Sequence, residues 1–153
     1  MNLKLNLEEI RKLFSATTYG RGMEYYTQNM IHSAVLMESG LKARCHGSMG
    51  YSYFLDVTCE PSPNETTTIK SVRCSCPQGG CCKHIAALLL TWYHNPGIFK
   101  KQSDLATFLA KQKKQDLIAL IFKLCNKDAK LLEQLFKLSE KKVVKRRGAH
   151  KLI

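Results

Sequence analysis

Nowhere does this sequence hold an apolar run approaching the roughly 18 uninterrupted residues that a membrane-spanning helix needs. Its opening stretch, Met1-Asn2-Leu3-Lys4-Leu5-Asn6-Leu7, places no basic segment ahead of a long apolar one. Neither export nor membrane insertion is expected; the expected location is the cytoplasm, with the nucleoid if the chain is bacterial, or the nucleus. No G-x-x-x-x-G-K-S/T loop occurs, which excludes nucleotide hydrolysis by that route. Carboxylates are scarce, 12 against 24 lysines and arginines, and Asp56, Asp104, Asp116 and Asp128 are dispersed, whereas a metal nuclease needs them clustered. A non-enzymatic role is therefore expected.

The positive charge is unevenly placed. Residues 1–99 hold nine basic and seven acidic side chains, for +2, and residues 100–153 hold fifteen and five, for +10. Such asymmetry points to a polyanionic partner, nucleic acid above all, against the plainer alternative of a solvated lysine-rich helical surface. The residues expected to meet phosphates are Lys111, Lys113 and Lys114, with Lys141, Lys142, Lys145, Arg146 and Arg147, and near the cysteine cluster Arg73 and Lys83.

Seven cysteines would suit a disulfide scaffold, but the number is odd and four of the seven fall between Cys74 and Cys82. Cys45 and Cys59, in strand-like segments, and Cys125, in a helical one, read as buried small hydrophobes. The segment Cys74-Ser75-Cys76-Pro77-Gln78-Gly79-Gly80-Cys81-Cys82-Lys83-His84 contains a C-x-C pair, five residues, then C-x-H. Three thiolates and an imidazole satisfy the tetrahedral preference of zinc and leave no position for a catalytic water. Pro77 and Gly79-Gly80 suit the tight reversal that brings the two halves together. Cys74, Cys76, Cys82 and His84 are the expected ligands of one structural zinc ion, although Cys81 with His84 forms a C-x-x-H pair and either adjacent cysteine closes the tetrahedron.

Periodicity predicts two short helices between Leu7 and Gln28, the second through Met23, Tyr25 and Tyr26, with Asn29 in the left-handed position that closes it. Strands are expected at 31–37, 41–48, 51–59 and 66–73, with Tyr51, Tyr53, Leu55 and Val57 sharing one face. That tyrosine pair either stacks on bases or lines a half-buried face, and the second is expected. Ile85 to Tyr93 reads as a buried core helix stopped by Asn95-Pro96-Gly97. Two to three amphipathic helices follow, capped by Ser103, Asp116 or Asp128. The fold class is α+β: a small antiparallel β-meander with the C-x-C-x5-C-x-H zinc site and a core helix, followed by a basic α-helical carboxyl-terminal region. The expected divisions are 1–99 for the zinc-finger domain with its amino-terminal helices, 100–140 for the amphipathic helices and 141–153 for a basic tail.

Cys74-x-Cys76 followed by Cys82-Lys83-His84-Ile85-Ala86-Ala87-Leu88 resembles the SWIM-type zinc finger, in which C-x-C and C-x-H lead into an apolar helix. Upstream, Tyr19-Gly20-Arg21-Gly22 and Tyr25-Tyr26 look like the segment preceding the finger in bacterial members, with Asn29 where those relatives carry glycine. The resemblance covers approximately residues 10–95 and implies DNA binding and protein interaction. It suggests a place beside a helicase-like ATPase of the bacterial Snf type, or a recombinase. The alternative it leaves is a protein-interaction adaptor, in which the helices from Leu105 to Leu138 dock on a partner and the finger is purely structural.

Overall fold

The computed structural model describes residues 3–61 and 67–148, with side chains placed from Leu3 to Glu140 apart from Met49 and Pro61. The chain forms two compact units, 1–106 and 107–153.

The first unit begins with two helices whose starts are chemically marked. Asn6 accepts the Glu8 amide at 2.8 Å ahead of α1 (Leu7–Lys12), and Ser15 accepts the Thr18 amide at 3.2 Å ahead of α2 (Ala16–Thr27). Because Ser15 satisfies a first-turn donor, α2 takes in Thr17 to Gly22 as well, starting a full two turns before the expected Met23. Asn29 does adopt the left-handed conformation, with φ +53, and the Met30 amide returns to the Tyr25 carbonyl at 3.0 Å.

Four antiparallel strands follow: β1 (Ile31–Met37), β2 (Gly40–His46), β3 (Ser52–Pro61) and β4 (Thr67–Cys74). A two-residue β5 (Lys100–Lys101) joins β1 in parallel, giving the order β4-β3-β2-β1-β5. Two lysines carry no hydrophobic period, so nothing in the sequence announced β5. Tyr51 lies before β3 and is exposed, so the expected common face begins at Tyr53 and continues through buried Leu55 and Val57.

One face of the sheet is covered by α3 (Lys83–His94), in which Ile85 to Leu90 are all buried. Leu41, Ala43, Cys45, Leu55 and Val57 from the sheet meet Ile85, Leu88 and Leu89 from the helix in one core. Each of the leucine, isoleucine and valine side chains among these contributes about 1.5–3 kcal/mol on full burial. The amino-terminal segment closes the edge: the Thr67 amide donates to the Lys4 carbonyl at 3.0 Å, and Trp92 Nε1 donates to the Leu3 carbonyl at 3.1 Å. Cys45, Cys59 and Cys125 are buried, as their segments imply.

Helix α4 (Gln102–Ala110) crosses the division, and α5 (Lys114–Cys125) and α6 (Ala129–Gly148) lie in the second unit. Of the three expected caps only Asp128 serves, accepting the Lys130 and Leu131 amides at 3.0 and 3.3 Å. Ser103 lies inside α4, which starts at Gln102. Asp116 lies in the first turn of α5, where its carboxylate favours the positive helix end without capping it. Residues 141–148, read from their charge as a tail, are the closing turns of α6; lysine and arginine are good helix formers and need bury nothing to continue one. Residues 149–153, including His150, lie outside the described residues. No helix among the described residues is long and apolar enough to cross a membrane.

Candidate metal centre

The end of β4 delivers Cys74 opposite Leu55. The next residue is tied to the neighbouring strand twice: the Ser75 amide donates to the Phe54 carbonyl at 3.0 Å, and the Phe54 amide donates to Ser75 Oγ at 2.9 Å. The strand edge thus fixes the C-x-C pair. The chain then reverses. The Gly79 amide donates to the Cys76 carbonyl at 2.9 Å, and Gly79 and Gly80 take φ +62 and +34, a region in which a Cβ is costly. Cys82 emerges as the residue capping α3, with His84 in the first helical turn.

The ligand atoms of Cys74, Cys76, Cys82 and His84 all lie within 4.8 Å of one another. His84 Nδ1 is 3.7 Å from Cys74 Sγ and 3.6 Å from Cys82 Sγ. Zinc–sulfur bonds of about 2.3 Å and a zinc–nitrogen bond of about 2.0–2.1 Å require tetrahedral edges of about 3.6 Å between unlike ligands. The donor set and its spacing are therefore compatible with one structural zinc ion held by Nδ1 of His84 and three thiolates. Cys76, Cys82 and His84 are buried, whereas Cys81 is exposed and stands apart from the cluster, so Cys82 is the cysteine that completes it.

The site is electrostatically graded. Cys82 is held down to about 3, first by a hydrogen bond from the Cys74 thiol, then by the His84 ring and the amides of Ile85 and His84, against the opposing effect of burial. The thiolate sits where helix-end amides stabilise negative charge. Cys74 is shifted upward, chiefly because it donates that hydrogen bond and secondly by burial. Outside the cluster, burial pushes the Cys45 thiol up to about 12 and Cys59 to about 11, which keeps both neutral.

The imidazole is walled by two aromatic rings that sequence reasoning did not assign to it. Tyr25 of α2 meets His84 edge-on at 5.2 Å between centroids, and Tyr53 of β3 lies at 4.8 Å, tilted by 40°. His84 Nε2 is buried and has no hydrogen-bond partner among the described residues. With that nitrogen sealed beneath the rings, Nδ1 is the atom facing the thiols. The half-buried Tyr53 thus lines the metal site and is not a free stacking surface. In the sequence Tyr25 stood out as part of the second helical run and of the family-like segment upstream, neither of which places it against the metal site.

The residues expected to meet phosphates are divided between the two units. Arg73 is exposed on β4 opposite Asp56, and Lys83 opens α3 with its Nζ 4.4 Å from the centre of the Tyr25 ring. Lys111, Lys113 and Lys114 are exposed around the turn between α4 and α5. Lys141, Lys142, Lys145, Arg146 and Arg147 lie on α6, with side chains outside those described. The first two belong to one unit and the other eight to the second.

Residues 57–93 match the family model of the SWIM zinc finger. The matched segment, about a quarter of the chain, runs from the middle of β3 through β4 and all four cluster residues to the last turn of α3. Comparison with curated proteins and with solved structures gives no match.

Proposed function

From the SWIM zinc finger at residues 57–93, we propose that this chain is a non-catalytic module that binds nucleic acid, DNA in the first instance, in association with helicase, remodelling or recombination machinery. The observation that carries this reading is the charge: an excess of ten positive side chains over residues 100–153, joined to a finger whose four protein ligands leave zinc no open coordination position. The module acts wherever that DNA is held, in the nucleoid or the nucleus. Its lysines and arginines neutralise phosphates and set affinity rather than sequence preference.

Fluorescence anisotropy with single- and double-stranded DNA at low and physiological salt tests it. Each phosphate contact adds about 0.9 to the slope of log affinity against log salt for duplex DNA. Binding is expected to fall steeply with salt, and less steeply once Lys141, Lys142, Lys145, Arg146 and Arg147 are changed to glutamine. Affinity that is flat with salt, or no binding at low salt, contradicts the reading.

A second reading, a protein adaptor with a purely structural finger, is favoured by the apolar side chains in the second unit. Phe122, Phe136 and Leu138 are each more than half exposed. A stoichiometric partner lost on Phe122→Ser and Phe136→Ser, with no DNA binding by the purified protein, would establish the adaptor instead.

A further inference from the structure

The face of the sheet turned away from α3 is not a neutral surface. Along β3, Ser52, Phe54 and Asp56 alternate with the inward Tyr53, Leu55 and Val57. Phe54 is 57% exposed although β3 is an interior strand of the sheet. Across the ladder it faces Arg44, and Arg44 in turn faces His32. The Arg44 guanidinium lies over the Phe54 ring, 4.0 Å from its centroid. Beside them, the rings of His32 and His46 stack at 3.9 Å with only 15° between their planes, and Ser52 Oγ is 3.5 Å from His32 Nε2. The remaining neighbours add charge: Lys42 pairs with Asp56 at 3.0 Å, and Arg73 lies across from the same carboxylate. One acid against Lys42, Arg44 and Arg73 leaves the face cationic.

We propose that this face, centred on Phe54 and Arg44, is a stacking platform for the bases of single-stranded nucleic acid. Every base offers a flat π-face to an aromatic ring or a guanidinium plane, and the surplus cations take the adjoining phosphates. A duplex keeps its bases stacked on one another and cannot use such a surface, so the platform discriminates by strandedness. The charge selects a polyanion over an apolar protein segment, because the groups around Phe54 are planar or cationic. It is also linked to the metal: both backbone hydrogen bonds of Phe54 described above go to Ser75, between Cys74 and Cys76. Zinc bound by Cys74 and Cys76 would therefore steady the residue that Phe54 is tied to.

This inference rests on the nucleic-acid reading proposed above and narrows it. The test uses full-length zinc-loaded protein with a fluorescein-labelled oligothymidylate of about 15 nucleotides, the matching oligouridylate and a DNA duplex. Phe54→Ala is expected to weaken oligothymidylate binding by about 5- to 150-fold, the range set by loss of one stacked base. Phe54→Tyr is expected to bind like the unaltered protein, and duplex affinity to stay unchanged in both. Comparing the two oligomers tells whether the 2′-hydroxyl matters. Should Phe54→Ala lose zinc, Arg44→Met, which removes the guanidinium plane from an exposed site, is expected to give the same weakening. Unaltered oligomer binding by Phe54→Ala, a Phe54→Tyr loss as large as that of alanine, or binding to duplex alone overturns the platform while leaving the nucleic-acid reading intact. No binding to any of the three probes at low salt overturns both.

Discussion

Gly22 of α2 packs its backbone against Ala86 of α3, so near that a Cβ on residue 22 would fall 2.4 Å from the Ala86 Cβ and 3.2 Å from the Lys83 carbonyl oxygen. Ala86 lies two residues beyond the histidine ligand, so this contact sets how close α2, and with it Tyr25, comes to His84. In an exposed helix, alanine is preferred over glycine by about 1 kcal/mol. Gly20, two residues earlier on the same helix, has open space within 4 Å of where a Cβ would stand. The two glycines should therefore respond oppositely. Gly20→Ala is expected to stabilise by up to about 1 kcal/mol, and Gly22→Ala to destabilise by about 1–3 kcal/mol through overpacking, both read from urea unfolding of the zinc-loaded protein.

The exposed Cys81 and the buried Cys82 separate cleanly under substitution. Cys81→Ser is expected to retain one zinc per chain, because its thiol is outside the cluster. Cys82→Ser is expected to lose zinc and, with it, a large part of the finger's folding free energy, since structural zinc in finger peptides is worth about 10–16 kcal/mol. Metal content by atomic emission, followed by thermal unfolding, distinguishes the two.

Thiol labelling gives an independent map. Cys81 alone among the seven cysteines is exposed, and Cys45 and Cys59 are buried with their thiols pushed up to about 12 and about 11. Native zinc-loaded protein is expected to react rapidly at one site; a chelator is expected to open five more, the ligands Cys74, Cys76 and Cys82 together with Cys45 and Cys59, because the sheet that buries the last two is lost with the metal. Fast reaction at Cys74 or Cys76 with zinc retained would show that they do not ligate.

Much of this arrangement could be read from residue order, and what escaped has a physical reason in each case. Five metal-capable residues in eleven, with two glycines between them, needed no tertiary information. Choosing Cys82 over Cys81 did, because adjacent residues differ only in which one the helix start turns inward. The extent of α2 was missed because Thr17, Thr18 and two glycines are weak helix formers, and the Ser15 cap and the close seat against Ala86 outweigh that propensity. The pairing of Arg44 with Phe54 depends on strand register. Its trace in the sequence is an aromatic residue on the polar beat of β3, between Ser52 and Asp56.

Acid and base act on the site in opposite senses. In the metal-free protein Cys82 titrates below its ordinary value of 9.0, at about 3. Its contribution to stability is complete above about pH 9, falls as the unfolded thiol takes up its proton and is gone below about pH 3. Cys74 is shifted upward, so its contribution is complete below 9.0 and is lost as pH rises beyond it. Zinc must displace the Cys74 proton, and affinity is expected to rise by about tenfold or more per pH unit between about pH 6 and 8. Competition with a chromophoric chelator measures this, and a flat profile would mean that Cys74 is not a ligand.

Cys74, Cys76, Cys82 and His84 are the four residues through which one zinc ion organises the finger. The most direct measurement follows far-ultraviolet circular dichroism and released zinc together while a chelator is titrated into the native protein. Release of one equivalent of zinc is expected and, in step with it, loss of the sheet and α3 signal. Full release with the spectrum unchanged would contradict it.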